Sequence, residues 1–450
     1  MIFIIIAIFA IVMYIRGYKI PAFVMFFFFL TSGFNLISED LMDIKIINKG
    51  SDFAFLILFG IILIDSFCVK DYLKRDRFTI LLFVSSIVLI ACIVWSKWII
   101  GLAWSEIIRS CRYQFFWIAY FVFRNMKKEQ LEILLKILFN ITVFLSVLFL
   151  AQIILDQTIL NEMDKNRITL YGIRIPRYYN HPDLIQFCTL LAVFHNPHKG
   201  TWRIVTTTIL IMALLGAFHR SLAGFFLLAA LIGFILKLPH LRKIQFLTLL
   251  LIVLFGSILF AGKRFMDSRT FSDLQYIRKG MYTEVEDLDI EEFQKSTFTF
   301  RLAILYERNQ YLLDNPKKIW LGGGLMAENS PQTKMLDFKI GLIDKMTGRA
   351  VQVDCGDISY PSMIFRMGYL GTASYLTLLI YLAVYFYKKH KNKYGLVGFL
   401  FMILSFSVSF FSGNLLLPAT YLLPLITYSI VQKTEQEKMS SNVSCLTNIQ

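Results

Sequence analysis

The sequence predicts an all-α polytopic membrane protein, and three observations carry that reading. Of 450 residues, 56% are hydrophobic and 16% aromatic, with 43 Phe, while only 17% are charged; a soluble domain carries about a quarter. Apolar runs recur at the ~20 residues needed to cross a ~30 Å hydrocarbon core. These runs are continuous and lack the two-residue alternation of a transmembrane barrel.

The runs fall near 1–15, 20–37, 53–69, 78–94, 104–123, 131–155, 183–195, 204–218, 221–236, 244–261, 362–387, 394–411 and 414–431. The first, seventh and eighth are short, so the expected count is about 12–13 transmembrane helices. MIFIIIAIFAIVMYI at the N-terminus has neither a basic flank nor a small-residue cleavage site and reads as a retained helix. Basic loops occur at 16–19, 70–77, 124–128, 198–203, 237–243 and 388–393, with Lys433 and Lys438 in the tail. Threading thirteen spans with the N-terminus outside puts every one of them on the same side, as cytoplasmic loops require. The net charge of +15 is thereby explained without nucleic acid as a partner. Four regions follow: an N-terminal bundle at 1–261, a large extracytoplasmic loop with short helices at 262–361, C-terminal helices at 362–431 and a cytoplasmic tail at 432–450.

Three outward segments hold the candidate chemistry. The first, 156–182, ends in GIRIPRYYNHP, which gathers Arg174, Arg177, Tyr178, Tyr179 and His181 at one boundary. Its tyrosines also suit an interfacial aromatic belt. The second is the tight turn at His219 and Arg220. A charge so deep in an apolar stretch snorkels to the interface or faces a cavity or partner. The third is the long loop, whose acidic run at 284–293 reads as a solvated face. Within it RLAILYERNQYLLDNPKKIW reads as an amphipathic helix with Arg301 and Arg308 on one face, stopped by Asn315-Pro316. Gly322, Gly323 and Gly324 then suit a turn of positive φ or a close approach to a ligand. The loop closes on GDISYPSMIFRMGYLG, in which Asp357 and Tyr360 lead into a helix and Gly368 and Gly371 allow close packing. His181 and His219 are the two histidines on this side, open to either a structural role or that of a base. The six cysteines are scattered and suggest neither a disulfide framework nor a metal site. There is no internal repeat, which speaks against the paired halves of a transporter or flippase.

The order of these elements resembles the O-antigen polymerase and ligase superfamily of bacterial inner membranes. The resemblance spans roughly 170–390. It rests on Arg220 in FHRSLAG, the long loop, Arg301 through NPKKIWLGGG, and the segment from Asp357 to Tyr360 followed by Gly368 and Gly371. That last segment is similar to the family pattern His-Asn-x-Tyr-Leu followed by Gly-x-x-Gly, with Asp357 where ligases carry the His. The resemblance implies a GT-C-like glycosyltransferase that needs no metal or other cofactor. Its donor would be a polyprenyl-diphosphate-linked oligosaccharide in the membrane lipid, with a chain-length regulator protein as a further partner. Arg220 and Arg301, then Arg174, Arg177 and Arg308, would meet the diphosphate, with Tyr360 beside them. Asp357, or alternatively His181, would be the base. Asp357 favours polymerase over ligase.

Overall fold

The computed structural model describes residues 2–42, 49–69, 72–161, 165–170, 173–239, 275, 277–280, 297–327, 330–336, 338–343 and 358–447. The expected span at 244–261, the acidic run at 284–293 and Asp357 lie outside them. The first helices are α1 (Ile2–Ile15), α2 (Lys19–Leu30), α3 (Gly50–Cys68) and α4 (Arg77–Trp98). Next come α5 (Trp104–Cys111), a 3-10 segment Arg112–Ile118, α6 (Ala119–Asn125) and α7 (Lys128–Leu155). A hairpin of β1 (Lys165–Leu170) and β2 (Ile173–Tyr178) precedes α8 (Ile185–His195), α9 (Gly200–Gly216) and α10 (Arg220–Lys237). The long loop contributes α11 (Thr297–Leu313) and a strand β3 (Phe338–Ile343). The chain ends in α12 (Ser359–Lys388), α13 (Lys393–Val408) and α14 (Ala419–Thr447).

Among the described residues five helices (α3, α4, α7, α10 and α12) are long and apolar enough to cross a membrane. Five shorter apolar helices (α1, α2, α8, α9 and α13) stand beside them. The fold is that of a helical membrane protein. The structure departs from the expected spans where side chains compete with the helix. The run at 104–123 is broken because Arg112 turns to Asp52, at 3.0 Å, and the Tyr421 hydroxyl donates to the Tyr113 carbonyl. Trp117 stacks on Tyr421 at 4.2 Å, locking the tighter 3-10 turn against α14. The outer segment 156–182 contains the hairpin, with Arg174 opposite Thr169 and Arg177 opposite Asn166. The tail, assigned apart from the last span, continues α14 as one helix.

Burial follows apolarity around each helix. From Tyr421 to Val431, α14 is buried on every side, as is most of α8, so both sit centrally. In contrast, α4 leaves Ile80, Val84, Ile87 and Ile90 exposed, the face a bilayer would cover. Polar bonds sort the loops into two ends. At one end Arg124 pairs with Asp76 at 3.4 Å, Lys128 with Glu437 at 2.6 Å and Lys389 with Glu435 at 2.7 Å. These join the basic loops and the tail. At the opposite end Asn161 N donates to the Asn35 carbonyl at 2.7 Å, and Ser359 Oγ to the Ser412 carbonyl at 3.0 Å.

The glycine turn is spent on the fold. At Gly368, with φ +65° and ψ −172°, α12 loses its helical geometry. The break frees the amides of Tyr369 and Leu370 and the carbonyl of Phe365. The loop after α11 takes all three: Tyr369 N donates to Ile319 O at 2.9 Å, Leu370 N to Trp320 O at 3.1 Å, and Gly323 N to Phe365 O at 2.7 Å. A Cβ on Gly322 would come within 2.6 Å of Gly368 N, and one on Gly368 within 2.5 Å of Gly322 N. Trp95 Nε1 donates to the Gly322 carbonyl at 2.9 Å, tying the same turn to α4. The approach at Gly322 is therefore to the backbone of α12, where the sequence left open a turn or a ligand.

Candidate functional site

At the end opposite the basic loops lies a cavity of about 580 Å³. The turn after α2 supplies Thr31, Ser32 and Asn35; residues 32–35 all have positive φ, between 48° and 69°. Successive L-residues in this region are costly, about 1–2 kcal/mol each, and such strain collects at functional sites. The linker after the hairpin supplies Tyr179, Asn180, His181 and Asp183, and α8 adds Gln186. Asn414, Leu417 and Thr420 come from the turn into α14.

These carboxamides are held in place. Asn180 Nδ2 donates to the carbonyls of Leu160 and Asn161 at 2.9 and 3.1 Å, while its Oδ1 accepts from Gln152 Nε2 at 2.8 Å. Asn35 Nδ2 donates to the His181 carbonyl at 3.3 Å. Burial, reinforced by the charge of His219, pushes the His181 imidazole down from 6.5 to about 4. The ring is thus uncharged at neutral pH and a weaker base than a free imidazole. Among the described lining residues there is no Lys or Arg, so the wall suits neutral hydroxyl-bearing groups better than an anion.

Of the eight residues singled out from sequence, His181 alone lines this cavity among the described residues. Arg177 touches the cavity's lining, its guanidinium 4.7 Å from the ring of Tyr179. Arg174 is exposed on β2. Arg220 opens α10 as an exposed residue, next to the His219 cap, whose Nδ1 accepts from Leu222 N at 3.4 Å. Arg301 lies 5.8 Å from the ring of Phe411. Tyr360 takes a hydrogen bond from Ser409 Oγ at 2.9 Å and packs on Phe410 at 4.7 Å. Arg308 is fully buried. It pairs with Glu307, donates to the Ile340 carbonyl at 2.8 Å and lies 3.7 Å over Phe338. Its surroundings are protein, so its role here is to fasten β3 to α11. Asp357 lies outside the described residues.

The turn between α13 and α14 is what unites these positions. Ser409, Phe410 and Phe411 hold Tyr360, Arg301 and, through Phe225 at 5.5 Å, α10. Ser412 takes Ser359, the first residue of α12. Asn414 and Leu417 face the cavity. Hydropathy assigns all of FFSGNLLLPAT but Ser412 and Gly413 to the two flanking spans, so the turn is masked by its apolar residues. Its signals were the Ser-Gly-Asn step, with Ser412 Oγ accepting from Asn414 N at 3.2 Å, and Pro418. Asp183, two residues beyond His181, was likewise passed over. Among the described residues no group of three or more His, Cys, Asp or Glu is placed to hold a metal ion.

No protein-family model matches this chain, and a search of curated proteins likewise gives no match. The membrane-spanning helices and this polar cavity therefore carry the functional reading, beside the resemblance of its motifs.

Proposed function

We propose that the protein is a bacterial inner-membrane glycosyltransferase that polymerises repeat units from a polyprenyl-diphosphate-linked donor onto a lipid-linked acceptor. One observation carries this reading. The turn at 409–417 joins a polar cavity containing an uncharged imidazole to Arg301, Tyr360 and the helix begun by Arg220. An acceptor hydroxyl attacks the anomeric carbon as the bond to the diphosphate breaks. The hydroxyl proton passes to a base, and the leaving diphosphate gathers negative charge that preorganised arginines stabilise. Arg220 and Arg301 take the arginine role. His181 is the base the cavity itself supplies, and Asp357, two residues ahead of α12, is the other candidate.

Cells lacking the chromosomal copy, complemented with variants, test the proposal through the length distribution of their surface glycan. Arg220→Ala and Arg301→Ala are expected to leave a single repeat unit while the protein stays in the membrane. Whichever of His181→Ala and Asp357→Ala does the same is the base; normal chain lengths in both remove them from the mechanism. Full-length polymer stranded on the carrier lipid would instead mark a ligase.

A further inference from the structure

We propose that the basic end of the bundle binds the phosphate of an anionic membrane lipid, in a pocket between the α8–α9 corner and the ends of α10 and α13. This does not depend on the glycan reading. The pocket, about 280 Å³, is lined by residues that include His195, Asn196, His198, Lys199, Gly200 and Arg203. Lys237, Lys393 and Arg203 all act electrostatically on His195. Lys237 is fixed there by donating to the Phe194 carbonyl at 2.8 Å. Lys199 of the corner and Arg203 of α9 thus line the pocket, and Lys237 of α10 and Lys393 of α13 add their charge near its His195. Among the described residues an acid, Glu132, stands beside the Tyr394 hydroxyl, and the Tyr394 ring meets His195 edge-on at 4.9 Å. One carboxylate leaves the excess positive. Neither Lys199 nor Arg203 has an ion-pair partner among the described residues.

Phosphate fits this arrangement because a guanidinium fork matches its oxygens and ammonium groups neutralise the remainder. A lipid source is favoured by what flanks Arg203. Trp202 and Ile204 are each 69% exposed on the outer surface of the bundle. A Trp in that position rests at headgroup depth, where basic pockets between spanning helices take phosphate headgroups. A bare phosphate would fill only part of the pocket, leaving room for the substituent a headgroup carries.

The full chain in nanodiscs of phosphatidylcholine, with or without phosphatidylglycerol, tests this by native mass spectrometry and thermal midpoint. Lys199→Gln/Arg203→Gln is expected to lower phosphatidylglycerol retention at least about tenfold, the size of one lost charge-assisted hydrogen bond. Lys74→Gln/Arg75→Gln, exposed at the same end, removes equal charge outside the pocket and should leave retention unchanged. Equal losses in both variants would overturn the proposal, reducing it to general surface charge. So would a midpoint gain from inorganic phosphate in neutral nanodiscs as large as that from the lipid. Should the first variant unfold in pure phosphatidylcholine, Lys199→Arg/Arg203→Lys must retain the lipid, and its failure to do so also overturns the site.

Discussion

Arg308 and Arg301 stand two turns apart on α11 with different surroundings. Glu307 accepts from the amide of Ile340 at 3.2 Å while pairing with Arg308, so removing the guanidinium leaves that carboxylate underpaid in charge. Arg308→Ala is expected to destabilise by about 3–5 kcal/mol, seen as a lower thermal midpoint and less protein in membranes. Arg301→Ala should leave the midpoint near wild type. The spacing of seven put both on one face, and that was legible. Which of them the loop would cover was not, because the strand that buries Arg308 comes about thirty residues later. His181 offers a second test. Its folded pKa of about 4 lies below the unfolded 6.5, so the unfolded state takes up the proton first. Its contribution to stability is complete above pH 6.5 and is lost as pH falls toward 4, by up to about 3 kcal/mol. The fall in thermal midpoint across this window should be smaller in His181→Gln than in wild type.

Among the elements, α12 shows where sequence patterns reach and where they stop. Its start, its apolar body and the stop of α11 before Asn315-Pro316 were all readable from turn residues and periodicity. The kink was not, since a glycine inside a helix pattern is equally compatible with tight helix packing. The positive φ at Gly368 and at Gly322, +81°, together with the contacts a Cβ would make there, set the cost of change. Gly368→Ala or Gly322→Ala is expected to lose about 2 kcal/mol or more. Gly224, inside α10 with open space around its Cβ position, serves as the control, and Gly224→Ala should leave the thermal midpoint at or slightly above wild type. The same reasoning explains the broken span at 104–123. Hydropathy sees five apolar or aromatic residues among the seven of Arg112–Ile118, whereas the 3-10 turn answers to partners on α3 and α14.

For the whole molecule, charge on the loops was the most informative signal. Ion pairs join the loops at 70–77, 124–128 and 388–393 to the tail, the grouping that threading with an outer N-terminus requires. A cysteine at Gln157, exposed at the other end, should react with an impermeant maleimide in intact spheroplasts; one at Lys438 should react only after lysis. The measurement is made with the native cysteines replaced by serine, and the reverse pattern would invert the topology. The cavity was legible only in part. His181 was found through its boundary position, but the carboxamides around it come from stretches far apart in the chain, with no local pattern to announce them.

The seam between residues 319–323 and 365–370 is made of peptide groups, and peptide groups are indifferent to the side chains they carry. Inheritance should show it. Under saturation mutagenesis of this stretch, Ile319 and Trp320 should accept many residue types without releasing the loop, because their carbonyls do the holding. Gly322 and Gly368 should accept almost none. The footprint of a large loop's anchorage would then be two invariant points about forty-six residues apart, surrounded by sequence free to drift.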